Sequence, residues 1–292
     1  MISGAFTLLI SPFDKNMRLD EEGLRVLVRR QVESGIHGIA PLGVTGESPA
    51  MTEDEIKRMV EICVEEAGGR CLVAPDTCSN NMEQAENRVR LYKDIGCDYA
   101  VVFAPFLVLP KPDGILEFYR RLAGAAGIPL IIHNAAARVG INIEPDTYAK
   151  LAAIDGLVGT KDGNKALDHL AKVIHVTRDR DFSVFTGKDT TAFPLLSFGG
   201  RGVFTVAGNI IPGVMRDIVE FSLNGEKDKA ERLHHLHYEL FEALRFETNP
   251  MAAKEALALL GLPAGGLRLP LTRLSEAKRE ILKKTMAEEG LI

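Results

Sequence analysis

The chain lacks an excess of either charge. Its 35 Lys and Arg are scattered along 292 residues and outnumbered by 40 Asp and Glu, for a net charge of -5, so nucleic acid has no electrostatic footprint to follow. No uninterrupted apolar run approaches the ~20 residues that cross a bilayer, which excludes a membrane partner. The opening Met1–Thr7 stretch has neither the charged region nor the cleavage pattern of a signal peptide. A cytoplasmic location is therefore expected. The four cysteines, Cys63, Cys71, Cys78 and Cys97, contain no Cys-x-x-Cys, and are read as reduced small hydrophobes and not as a metal site. His234, His235 and His237 form the one histidine cluster. Without further ligands it reads as a solvated helix face, so no metal and no cofactor are expected. A Gly-x-Gly-x-x-Gly fingerprint after the first apolar run is also missing, which argues against a dinucleotide-binding open sheet.

What is present is a regular alternation of short apolar runs with longer amphipathic stretches, the pattern of repeated βα units. The runs are Phe6–Ile10, His37–Leu42, Cys71–Ala74, Tyr99–Ala104, Pro129–Ile132, Leu157–Asp162, Ser183–Thr186 and Gly202–Val206. A helix is predicted from Asp20 to a stop at Gly35, and a second is capped by Thr52 with Glu55 completing a capping box. Eight such units over about 225 residues match a (β/α)8 TIM barrel. Residues 226–292 read as helices only: 226–246, 251–260 and 274–288. They are taken as a helical extension packed on the barrel, since a segment under 70 residues is a poor candidate for a core of its own.

In Leu157-Val-Gly-Thr-Lys-Asp162 a lysine ends a buried strand. Alternation places Leu157, Gly159 and Lys161 on one face, so Gly159 leaves room beside the lysine stem. An ammonium in apolar surroundings loses its proton more readily, and the free amine is a nucleophile toward carbonyl carbon. The alternative is an ordinary strand-end ion pair. Active sites of this architecture lie at the C-terminal ends of the strands, where Thr45, His133, Arg138 and Lys188 join Lys161. Gly43-Val-Thr-Gly-Glu-Ser48 can turn amides toward a carboxylate or be a plain turn, with Glu47 orienting the loop or capping the next helix. His133 suits proton transfer near neutrality or a structural role. Arg138 can grip a carboxylate or pair at a surface. Lys188, between Gly187 and Asp189, reads as more solvated than Lys161 and ranks below it. No ligand set at the strand ends suits a metal-dependent aldolase.

These residues resemble the dihydrodipicolinate synthase and N-acetylneuraminate lyase family of pyruvate-linked class I aldolases over essentially the whole length. The markers are Ser11-Pro-Phe13, Gly43-Val-Thr-Gly-Glu47, Gly159-Thr-Lys-Asp162, Gly199-Gly-Arg-Gly202 through Asn209, Asn249-Pro250 and Gly266-Leu-Arg-Leu-Pro-Leu271. The resemblance implies a barrel with C-terminal helices, assembled as a homotetramer built from two dimers. It implies that Lys161 forms a Schiff base with pyruvate or another 2-oxo acid, and that the enamine attacks an aldehyde such as aspartate semialdehyde. Cleavage or dehydration of a sugar-derived 2-oxo acid, and binding of a 2-oxo acid without turnover, are the alternatives. Thr45 and the amides of Val44 and Thr45 would hold the pyruvate carboxylate, Arg138 the carboxylate of the partner, and Gly187 and Val206 would complete the substrate site. The sequence departs from the family at Val44, where a hydroxyl is usual, at His133, where a tyrosine is usual, and near Phe106 and Leu107, where an aromatic hydroxyl reaches across a subunit interface. His133 is the candidate to supply the missing acid and base function.

Overall fold

The computed structural model describes residues 1–292. Nine parallel strand segments, β1 (Gly4–Leu8), β2 (Gly38–Ala40), β3 (Leu72–Val73), β4 (Asp76–Thr77), β5 (Ala100–Phe103), β6 (Leu130–Asn134), β7 (Leu157–Asp162), β8 (Ser183–Thr186) and β9 (Gly202–Thr205), run in the order β3-β2-β1-β9-β8-β7-β6-β5-β4. Eight were expected, and the ninth arises because Pro75 splits the third. Proline has no N–H to give a ladder and fixes φ. The half before Pro75 pairs with β2 and the half after it with β5. The split strand still closes the circle. Val101 N donates to Pro75 O at 2.9 Å on one side, and Asp76 N donates to Pro41 O at 3.1 Å on the other. The fold is thus the expected (β/α)8 barrel.

Local sequence explains the helices. The Asp20 side chain accepts from Gly23 N at the start of Glu21–Glu33, and the Thr52–Glu55 capping box opens Glu53–Ala67. Each satisfies amide donors that a first helical turn leaves unpaired. Inside the barrel Phe6 stacks on Phe204 at 4.9 Å between centroids, with Phe185 edge-on to Phe204 at 5.3 Å. This aromatic layer plugs the barrel beneath the C-terminal strand ends.

The extension holds four helices, Lys227–Leu236, Tyr238–Ala243, Met251–Leu259 and Glu276–Glu288. The single helix expected over 226–246 breaks at His237. Tyr238–Ala243 touches the turn Asp189–Thr191 after β8, and Met251–Leu259 touches Ala207–Asn209 after β9. The histidine cluster is not the solvated face expected: His234 and His237 are buried and only His235 is exposed. His234 lies 5.5 Å from Phe241 and 5.9 Å from Phe193 between ring centroids, and His237 Nδ1 is 2.7 Å from Glu289 Oε2. His234 thus seats the extension on the barrel through Phe193, while His237 ties parts of the extension to each other. All four cysteines are free, three of them buried.

Candidate active site

Strand register brings the reactive groups together. His133 on β6 is the direct neighbour of Lys161 on β7, and Phe103 on β5 is the neighbour of His133. At the strand ends Lys161 Nζ lies 3.4 Å from His133 Nδ1 and 3.4 Å from Oδ2 of Asp76, while His133 Nδ1 lies 3.0 Å from that same oxygen. All three residues are buried. The His133 ring packs on Phe103 at 3.8 Å between centroids, and the Lys161 ammonium sits 5.5 Å from the centre of the Phe204 ring.

Burial pulls the Lys161 ammonium below its ordinary pKa, and the Asp76 carboxylate only partly restores it. Burial and the Lys161 charge likewise depress His133, which is therefore neutral near pH 7. Burial works to raise Asp76, but His133 and Lys161 outweigh it and hold the carboxyl below its usual range. The resulting site is a carboxylate and a neutral imidazole around an easily deprotonated amine. Oδ1 of Asp76 is buried with no hydrogen-bond partner.

Beside the triad is a cavity of about 140 Å³ whose lining includes Val44, Thr45, Asp76, His133, Arg138, Lys161, Gly187 and Lys188. At ~30 Å³ per liquid water this is space for several waters or a small organic molecule. Lys161 is ion-paired yet not walled in. The room does not come from Gly159 as expected, because a Cβ there would meet Ser183 O at 2.5 Å. That glycine serves the close approach of β7 to β8. Gly43 meets a similar demand with φ +63: a Cβ there would stand 2.8 Å from Asp76 Oδ2.

The loop after β2 has the character of an anion cradle. The amides of Val44 and Thr45 and the Thr45 hydroxyl donate to no protein acceptor, whereas Gly46, Glu47 and Ser48 donate back to Leu42, Val44 and Gly43 carbonyls and set the turn. Unpartnered donors converging on a cavity suit a carboxylate. Glu47 does not cap the next helix; it orients the loop. Its carboxylate stands 2.6 Å from Lys254 Nζ of the extension, off the hydrogen-bonding direction, and accepts from Arg268 N at 3.0 Å.

Arg138 sits on a single helical turn, Ala136–Val139, and not in an open loop. The residue is exposed and borders the cavity, yet burial of its charged end is enough to lower its pKa. Val206 is elsewhere: it is buried outside the lining, its amide donating to Asp189 Oδ2 at 3.3 Å. Lys188 is more enclosed than its neighbours suggested, because Asp189 is turned inward to those amides and leaves Lys188 7% exposed. Sequence reasoning missed Asp76, Lys165 and Arg245, and took Asn249 only as a marker of the resemblance; all four are in the lining. Asp76 had one legible sign, an acid two residues beyond an apolar run that the intervening proline made look finished.

The family model for the dihydrodipicolinate synthetase family matches residues 1–289. The 4-hydroxy-tetrahydrodipicolinate synthase of Methanospirillum hungatei is 38% identical over 289 residues, covering 98% of this chain and 99% of its own. That of Syntrophus aciditrophicus is 38% identical over the full length of both. Among solved structures, dihydrodipicolinate synthase from Thermotoga maritima superposes with a TM-score of 0.97 at 32% identity, and the chloride-inhibited enzyme of Acinetobacter baumannii, complexed with pyruvate, with 0.97 at 29%; each covers all of both chains. With the barrel and its full-length likeness agreeing, this chain belongs to the dihydrodipicolinate synthetase family.

Proposed function

We propose that the protein is a pyruvate-dependent condensing enzyme of the dihydrodipicolinate synthase type, working through a Schiff base on Lys161. The observation that carries this reading is the Lys161 ammonium, buried beside an open cavity, with unpartnered amides of Val44 and Thr45 in the same lining. The cradle takes the pyruvate carboxylate and leaves the ketone facing the amine. Attack by the neutral amine expels water and forms an iminium. A methyl proton then leaves, the enamine adds to an aldehyde carbon, the new alkoxide is protonated, and water releases the lysine.

Those proton movements need groups that hold and return a proton. Asp76 and His133 share Oδ2 and Nδ1 contacts with Lys161, and they take the place of the hydroxyls missing at Val44, His133 and Phe106. The Nδ1 tautomer of His133 decides which neighbour it serves: protonated it donates to Asp76, unprotonated it accepts from Lys161. Gly187 borders the same space, and Val206 acts on it through the Asp189 turn. The same reading takes the protein to be a cytoplasmic homotetramer that uses small molecules alone. Exposed Leu107 and Val108, 83% and 69% accessible, favour subunit association.

The test is borohydride reduction with pyruvate, followed by mass measurement of the peptide bearing Lys161. An irreversible pyruvate-derived adduct on Lys161 is expected, and an unmodified lysine overturns the proposal. Adduct formation without consumption of any aldehyde would instead favour the binding-only alternative.

A further inference from the structure

Apart from Asp76, which is paired with Lys161, the residues lining the cavity include no acid, yet four further cations line it: Arg138, Lys165, Lys188 and Arg245. None of the four forms an ion pair with a carboxylate, whereas Lys161 in the same lining does. Lys188 is the extreme case. It is 93% enclosed (7% exposed) and its ammonium has no hydrogen-bond partner. Asp189, next in sequence, and Asp162, on the neighbouring strand, face other groups, although Oδ1 of Asp189 is buried without a hydrogen-bond partner. Asp189 accepts from the amides of Val206 and Ala207. Asp162 accepts from Asn134, Tyr148, His169 and the Asn164 amide. Burial, followed by the like charges of Arg245 and Lys165, brings the pKa of Lys188 down to about 8. An enclosed cation with no counter-ion is costly, and Lys188, with half-buried Arg245 and exposed Lys165 beside it, leaves a vacancy for negative charge.

Condensation of pyruvate with a monocarboxylate aldehyde supplies two carboxylates. The Val44–Thr45 cradle accounts for one and Arg138 for the other. Lys188, Arg245 and Lys165 remain unanswered. Resting on the Schiff-base reading above, we propose that these three form a second anion subsite, which takes an additional carboxylate or phosphate group carried by the acceptor aldehyde. The acceptor is thus a doubly anionic aldehyde, and the product leaves with at least three negative groups.

The test is titration calorimetry at fixed ionic strength on protein whose Lys161 has been reductively trapped with pyruvate, so that the cradle is filled. The probes are butyrate as monoanion, glutarate as dicarboxylate and inorganic phosphate. Binding of glutarate or phosphate at least ten-fold tighter than butyrate is expected, and which of the two wins tells a carboxylate from a phosphate. Lys188→Met should abolish that preference and Lys188→Arg should keep it; Arg245→Met gives the same reading if Lys188→Met does not fold. Equal affinities for all three probes, or an unchanged preference in a folded Lys188→Met, overturn the subsite. Failure of the wild-type protein to trap pyruvate overturns the Lys161 reading alone, and the same titrations on untrapped protein then decide the subsite by itself.

Discussion

Replacing Lys254 with methionine strands Glu47. The two side chains are 3% and 1% exposed and 2.6 Å apart, and Lys254 also donates to Gly266 O at 2.6 Å and lies 4.3 Å from the centre of the Phe13 ring. Methionine keeps much of the volume but leaves a buried carboxylate whose remaining partner is the Arg268 amide. Breaking a buried pair from one side costs about 3–5 kcal/mol, whereas removing both charges is close to neutral. Lys254→Met should therefore lose about 3–4 kcal/mol in urea unfolding followed by circular dichroism at pH 7. Lys254→Met with Glu47→Gln should regain most of it, since the amide still accepts from Arg268 and carries no charge. Because Glu47 sets the turn that aims Val44 and Thr45, the single variant should also raise the KM for pyruvate more than it lowers kcat. A loss below about 1 kcal/mol, or a double variant no more stable than the single, would refute the reasoning that a stranded charge dominates.

Asp76→Asn removes the carboxylate that supports the Lys161 ammonium, so the pH profile of pyruvate trapping should move to lower pH while turnover falls by about 10²–10⁴-fold. His133→Phe, which keeps the stack on Phe103, should lower turnover by a similar factor and leave borohydride trapping detectable by mass. Gly43→Ala combines a left-handed φ with a Cβ 2.8 Å from Asp76 Oδ2, and should cost about 1–3 kcal/mol on thermal unfolding. Lys188 has a native pKa of about 8 against ~10.4 in the unfolded chain. Between these values the unfolded state holds a proton the native state has released, so wild-type stability gains as pH rises through that window. Lys188→Met should lack that gain and be more stable than wild type at pH 7 by about 1–2 kcal/mol after allowance for screening, as read by urea unfolding at pH 7 and pH 10.5.

The architecture was legible because barrel strands and their helices announce themselves separately: strands by short β-branched runs, helices by caps such as Asp20 and the Thr52–Glu55 box. Lys161, His133, Thr45 and Arg138 were legible as polar residues at strand ends, since the barrel converts that position into shared space. Asp76 was hidden, because a proline reads as the end of a strand when only the chain before it is considered, and the second half pairs with a neighbour 25 residues further on. Gly159 was misread for the opposite reason. Alternation gives the face of a residue and not the distance of the next strand. The burial of Lys188 depended on Asp189 turning inward to amides 17 and 18 residues away, which no local pattern carries.

The barrel is sealed where its strands are shortest, two residues on each side of Pro75. Few ladder bonds hold that join, and regions with few backbone bonds open first in native-state fluctuations. Asp76 is the first residue past it, so each transient parting of the staves is expected to carry the carboxylate away from the amine and imidazole. The shortest strands of the scaffold and the carboxylate facing Lys161 are one place, and breathing of the sheet there would set how long the lysine keeps its counter-charge.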